Sequence, residues 1–156
     1  MKVLLAIDGS PHSQAAAAEV AARPWPTGTA VEVLTVIHTS APVAIDPALV
    51  LAAIHVELIE QRRRDALKIV ASASEHIRQR TADLHVTTKT VEGSPKDVIV
   101  REAKEWGADL IVVGSHGHGR VRRTMLGSVA GAVVANAPCS VQVVRTADGL
   151  DEPEPA

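Results

Sequence analysis

Two kinds of segment alternate along the chain. Short unbroken apolar runs, rich in β-branched residues, are followed by stretches in which apolar positions recur at helical spacing. Val3 to Ile7 is the first run, and it ends at Asp8-Gly9-Ser10. A run of this kind, bounded by turn residues, reads as a central strand buried on both faces. Ser10 and Pro11 then make a helix start, since the N–H that proline lacks has no partner in a first turn anyway. That helix is expected from Pro11 to about Ala22, with Pro24 and Pro26 stopping it. Ala30 to Ile37 reads as the second strand. After a loop from Thr39 to Ile45, Asp46-Pro47 repeats the cap-and-proline start. From Pro47 to Arg80 the chain has no glycine and no internal proline, and Ile59, Ala66, Val70, Ala73 and Ile77 mark a packing face. The length is unusual for a globular helix, so an interruption near its start is expected.

Leu84 to Val91 reads as the third strand. Gly93-Ser94-Pro95 follows, with Asp97 three residues past the serine, as in a capping box. The third helix should turn Val98, Ile99, Ala103 and Trp106 inward and end at Gly107. Leu110 to Val113 is a fourth strand, about Gly127 to Asn136 a fourth helix closed by Pro138, and Ser140 to Val144 a fifth strand. Strict alternation of strand and helix predicts an α/β fold, an open five-stranded parallel sheet with helices on both faces. One domain is expected over residues 1–147, and the acidic, proline-containing stretch 148–156 is expected to be a disordered tail. Sheets of this class bind ligands beyond the strand C-termini, where the strand order reverses. If strands one and four flank that point, Asp8 and Gly114 meet there.

Composition narrows the partners. The chain has 156 residues, 46% of them hydrophobic and 22% charged, which suits one well-buried domain. Two tryptophans are its only aromatic residues, so single strands of nucleic acid have no stacking platform. A net charge of −2 gives no general attraction to nucleic acid or to anionic membranes. The single cysteine, Cys139, excludes an internal disulfide or a cysteine-based zinc site, and reads as a small buried hydrophobe. No window is apolar enough to span a bilayer, and Val3 to Ile7 is too short for a signal-peptide core. The expectation is a cytoplasmic protein with no membrane or nucleic-acid partner.

The candidate chemistry lies between Asp109 and Ser128. Strand, glycine loop and helix start present backbone N–H groups to an anion, with a favourable helix dipole. Two familiar phosphate loops fail here. Gly114 and Gly119 have P-loop spacing, but Arg120-Val121 stand where lysine and a hydroxyl belong. Gly117-x-Gly119 lacks the third glycine of a dinucleotide fingerprint and follows the fourth strand rather than the first. His116 and His118, without a cysteine or carboxylate near them in sequence, make a weak metal pair, and no metal site is assigned. Arg120, Arg122 and Arg123 read as a solvated loop rather than phosphate ligands, and Arg62 to Arg64 as a solvated helix face.

Gly114-x-x-Gly117, then nine residues, then Gly127-Ser128, resembles the ATP-binding pattern of the universal stress protein family. The resemblance extends to Ile7-Asp8-Gly9-Ser10, Val36, Gly93-Ser94-Pro95 and the terminal Val141 to Val144 run, and so covers nearly the whole chain. Pro138-Cys139-Ser140 departs from it, since many members place proline after the cysteine. The resemblance implies a Rossmann-like, adenine nucleotide alpha hydrolase-like sheet of strand order 3-2-1-4-5. It implies Asp8 at the adenosine portion, Val36 at adenine partly through its backbone, and Gly114 at the ribose and first phosphate. Gly117, Gly119, Gly127 and Ser128 would then hold the triphosphate.

The residue chemistry agrees with that division. A lone carboxylate suits ribose hydroxyls or a bound divalent cation better than bare phosphate. The Ser128 hydroxyl can donate to a terminal phosphate beside a helix N-terminus. Plainer roles stay open: Asp8 shaping its turn, the glycines serving a tight crossover, Ser128 capping a helix. The implied cofactor is ATP, alone or with Mg²⁺ or Mn²⁺. The implied assembly is a homodimer paired antiparallel through Val141–Val144. The expected function is a nucleotide-dependent conformational or partner-binding regulator in stress response, acting on an unknown protein partner. The alternative is a slow ATP-hydrolysing enzyme of the same fold. No general base, Walker lysine or carboxylate pair is evident, so no catalytic residue is assigned and any hydrolysis should be slow.

Overall fold

In the first strand, β1 (Lys2–Ala6), alternate residues enter two different cores. Val3 and Leu5 join one cluster, Leu4 and Ala6 the other, as the two-residue period of a strand requires. The computed structural model describes residues 1–38, 48–118 and 125–146, with residues 48–55 described by backbone alone. The remaining strands are β2 (Ala30–Ile37), β3 (His85–Glu92), β4 (Leu110–Gly114) and β5 (Ser140–Val144). They form one five-stranded sheet in the order β3-β2-β1-β4-β5, and every neighbouring pair is parallel. Both the class and the strand order are those expected. The bounds of β1 and β3 shift by one residue from the sequence reading, within the usual uncertainty of element ends.

The helices α1 (Pro11–Ala22) and α2 (Ala48–Arg80) cover one face. Ala16, Ala17 and Val20 of α1 and Val70 and Ile77 of α2 pack on Val3, Leu5, Val31 and Val33 there. The helices α3 (Pro95–Trp106) and α4 (Ser128–Asn136) cover the other. Val98, Ile99, Ala103, Ala130 and Val133 meet Leu4, Leu34, Ile111 and Val113 on that side. Because β1 and β4 are buried by both layers, their unbroken apolar runs follow from the architecture.

Two local expectations need correction. The anticipated interruption of α2 does not occur: it runs through all 33 residues from Ala48 to Arg80. It contains neither glycine nor proline to kink it, so nothing in its sequence forces a break. The second correction concerns Ser94, which occupies the N-cap of α3 without a side-chain cap bond. Its own carbonyl accepts the N–H groups of Asp97 (3.1 Å) and Val98 (2.9 Å), so the donor a capping box needs is already taken. Ser10 does cap α1, accepting from the Ser13 N–H at 3.3 Å.

Arg62 to Arg64 are exposed as expected, yet two of them tie α2 to the sheet. Arg62 donates to the His38 carbonyl just past β2 at 2.9 Å. Arg63 bridges Glu60 and, at the end of β3, Glu92, each at 2.6 Å. Among the described residues no helix is long and apolar enough to cross a membrane. The expectations for Thr39 to Pro47, Gly119, Arg120, Arg122, Arg123 and the 148–156 tail lie outside the described residues.

Candidate functional site

β1 sends its chain to β2 on one side, while β4 lies on the other, so the strand order reverses between β1 and β4. Beyond their C-terminal ends is a cavity of about 370 Å³. Asp8, Val36, Gly114, Gly117, Gly127 and Ser128, all singled out from the sequence, line it. Gly119 belongs to the residues outside the description. A larger hollow of about 530 Å³ lies between α1 and α2, lined by Gln14, Ala17, Lys68, Ile69, Ala73 and His76 among others. It contains none of the residues of the glycine loop after β4, so the smaller cavity is the candidate site.

The turn after β1 and the loop after β4 hold each other. Asp8 Oδ1 accepts the Ser10 N–H at 2.9 Å, so one carboxylate oxygen does shape the turn. The other, Oδ2, faces Gly117, where an added Cβ would stand only 2.7 Å away. His118 Nε2 lies 2.7 Å from the Asp8 carbonyl, and the Ser10 hydroxyl donates to the His116 carbonyl at 3.4 Å. Asp8 also depends on Gly9, whose φ of +82° is left-handed backbone that side chains resist.

Gly114 and Gly127 have packing reasons of their own. A Cβ on Gly114 would lie 2.7 Å from the His12 carbonyl carbon and 2.8 Å from the Ser13 nitrogen, inside the first turn of α1. A Cβ on Gly127 would lie 3.1 Å from the Ser115 oxygen and 3.2 Å from His116 Cα. The Gly127 N–H donates to that same oxygen at 2.8 Å, which docks the start of α4 against the loop. As N-cap, Gly127 has no side chain to accept from the first turn of α4, and it makes no cap bond. A helix start leaves its first N–H groups without intrahelical partners, available to solvent or to a ligand. Ser128 is exposed at this helix start.

Sequence reasoning missed several wall residues. Pro95 and Ile99 bring the start of α3 to the cavity, and His38 extends it past Val36. His38 carried a signal: it lies two residues beyond Val36, on the same side of an extended chain. The two loop histidines do not converge. His118 engages the Asp8 carbonyl, whereas His116 pairs its Nδ1 with Ser115 Oγ at 3.1 Å and meets the His12 ring edge-on at 5.3 Å. Among the described residues no group of three or more histidine, cysteine or acidic side chains is placed to hold a metal ion. Cys139 packs half-buried in the second core, and burial pushes its thiol up, which disfavours the reactive thiolate.

Residues 1–145 match the family model described as the universal stress protein family. The chain belongs to that family. A universal stress protein of Thermus aquaticus, encoded in the QAH/OAS sulfhydrylase 3′ region, is 35% identical over 143 residues, 92% of this chain and 97% of that one. A putative universal stress protein of Staphylococcus epidermidis is 43% identical over 72 residues, 46% of this chain and 43% of its own. Against relatives of that kind the chain spans less than half of their length. The solved structure of UspA from Lactobacillus plantarum superposes with a TM-score of 0.78 at 28% identity, covering 93% of this chain and 97% of that one. A universal stress protein from Arabidopsis thaliana, solved with AMP bound, shares the fold at 20% identity, with a TM-score of 0.63 over 99% of this chain and 96% of that one. In this universal stress protein, the Asp8–Ser10 turn and the loop beginning at Gly114 act as one interlocked unit.

Proposed function

We propose that this universal stress protein binds ATP in the cleft between β1 and β4, and that the nucleotide sets its conformation and its contacts with a protein partner in stress response. One observation carries the reading: Asp8 Oδ2, Gly117 and the glycine-capped start of α4 face a single cavity. A carboxylate and a set of free N–H groups are opposite recognition chemistries, suited to the opposite ends of a nucleotide. Asp8 takes the ribose hydroxyls, and Val36 and Ile99 give adenine an apolar wall. Gly114, Gly117, Gly127 and Ser128 surround the phosphates. A side chain at Gly117 would meet Asp8 Oδ2 at 2.7 Å, so glycine there keeps the carboxylate open to the cleft, which suits the group. A Mg²⁺ or Mn²⁺ ion accompanying the phosphates would use Asp8 Oδ2. AMP in the Arabidopsis relative is a property of that protein, and it agrees with an adenine nucleotide here.

The direct test is to denature freshly purified protein and identify the released nucleotide by mass. ATP, released in near one-to-one ratio, is the expected result; a cleft that yields no nucleotide, and takes none up when ATP is added, rejects the reading. The reading is one of binding and regulation. Turnover of ATP at about 1 per second or faster, an ordinary enzyme rate, would move the protein into the hydrolase class. The proposed setting is the cytoplasm.

The same reading includes a homodimer. β5 is an edge strand with no neighbouring strand on its outer side among the described residues, and Met125, Leu126 and Val134 are exposed apolar residues on and before α4. Edges of this kind are normally covered. Antiparallel pairing of Val141–Val144 with the same strand of a second copy gives a two-fold interface. Sedimentation at micromolar concentration should return twice the chain mass; a monomer there rejects the pairing.

A further inference from the structure

The hollow between α1 and α2 owes its existence to short side chains. Helix α1 presents Ser13 and Ala17 to it, and α2 presents Ser72 and Ala73. None of these four reaches far enough to fill the space between two helices. Gly9 and Ile69 meet at its edge, where a Cβ on Gly9 would stand 3.0 Å from Ile69 Cδ1. The volume is about 530 Å³, inside the range of small-molecule sites, roughly 300–1,000 Å³. The hollow is distinct from the cleft. Ile7 and Ser13 border both, but Asp8, Val36 and the glycine loop belong to the cleft alone.

The lining has two chemistries. Ile7, Ala17, Ile69 and Ala73 are apolar. Lys68 and His76 are the ionisable members, and no described lining residue is acidic. Lys68, Ser72 and His76 recur every four residues, so they stand in one row along α2. Lys68 is not committed elsewhere. Its ion pair with Asp65 is 4.0 Å long and joins two exposed groups, and such pairs contribute little. Gln14, by contrast, already donates to the Gly9 carbonyl at 3.1 Å. An ammonium, a hydroxyl and an imidazole in one row beside an apolar wall match an anionic head on an apolar body.

We propose that this hollow is a second ligand site, which takes a small carboxylic acid with an apolar chain. The chain lies against Ala17, Ile69 and Ala73. The carboxylate meets Lys68, which supplies the charge, and Ser72 and His76 supply further donors. The assignment does not depend on the nucleotide reading, because the wall and the row of donors lie outside the cleft.

The test titrates octanoate and 1-octanol, equal in chain length and different in charge, into the full chain by calorimetry. Octanoate should bind saturably, one per chain, with a dissociation constant below about 1 mM, and 1-octanol roughly fivefold or more weakly, the effect of one charge-assisted hydrogen bond. Lys68→Gln should remove that difference by weakening octanoate alone. Ala73→Leu should abolish binding of both, since the larger side chain occupies the hollow, while the chain still unfolds cooperatively. No saturable binding of octanoate below 1 mM overturns the proposal. Equal binding of the acid and the alcohol overturns it too, as does octanoate affinity unchanged in Lys68→Gln. A folded Ala73→Leu chain that binds octanoate as the parent does would place the acid elsewhere and overturn it as well. If Ala73→Leu fails to fold, the exposed Lys68→Gln substitution and the alcohol comparison decide alone.

Discussion

Gly117→Val is expected to abolish ATP binding, weakening it at least about 100-fold, while the fold survives. The argument begins with what a side chain there would touch. The nearest atoms to a Cβ at Gly117 belong to Asp8, with Oδ2 at 2.7 Å and Cγ at 3.9 Å, and among the described residues, its chain neighbours aside, no other comes within 4 Å. Asp8 cannot swing aside freely, because its Oδ1 accepts the Ser10 N–H that helps to begin α1. Valine is branched at Cβ, so it displaces the carboxylate and fills the space above the loop together. A lost hydrogen bond to a charged group accounts for about 1.5–3 kcal/mol, and blocked approach adds to it, so a 100-fold loss, about 2.7 kcal/mol, is a modest figure. The fold should hold because Gly117 is exposed and its φ lies outside the left-handed region. Calorimetry decides the first half and thermal unfolding the second. Unchanged ATP affinity would defeat the cradle, and a melting temperature lowered in step with affinity would make Gly117 a structural residue.

The sheet was readable because its cause is local. Val3 to Ile7 and Leu110 to Val113 are unbroken apolar runs, and both strands are buried between two helical layers. Alternation of strand and helix then left few topologies. The candidate site was readable for a related reason: glycine spacing records backbone geometry directly. What the spacing could not say is which glycine serves which neighbour. Gly114 answers to the backbone of α1, Gly127 to Ser115 and His116, Gly117 to Asp8. These are contacts across the fold, invisible until the topology brings the segments together. Glu102 makes the same point. A glutamate on α3 reads as solvent-facing, yet it is buried and paired with Lys89 of β3 and with Arg101. The loss of the expected capping box at Ser94 has a different origin, since Asp97 has the right spacing but its N–H already has a partner. His116 was read only as half of a metal pair, because its orientation is set by Ser115, Ser10 and His12 rather than by its spacing from His118.

Gly114→Ala, in contrast, is expected to act on the fold. Its Cβ would sit 2.7 Å from the His12 carbonyl carbon, 2.8 Å from the Ser13 nitrogen and 2.9 Å from the His12 oxygen. All three are backbone atoms of a helix, so no side chain can rotate out of the way. α1 must lift from the end of β4, and it brings Ser13, Ala16 and Val20 with it, all of them buried. Overpacking of a well-filled site costs about 1–3 kcal/mol, and the rigidity of the opposing backbone places Gly114→Ala toward the upper end. For a chain of this length that corresponds to a melting temperature lower by about 10 °C. ATP affinity should fall as a secondary effect, because Asp8 and Ser10 lead directly into the displaced helix. Thermal and urea unfolding provide the check, and a melting temperature within about 2 °C of the parent would mean that α1 does not press on Gly114 as the geometry requires. The two glycines thus separate along different axes, although they stand three residues apart in one loop. Gly117→Val should lower affinity at constant stability, and Gly114→Ala should lower stability first, because one faces a carboxylate in the cleft and the other a helix backbone.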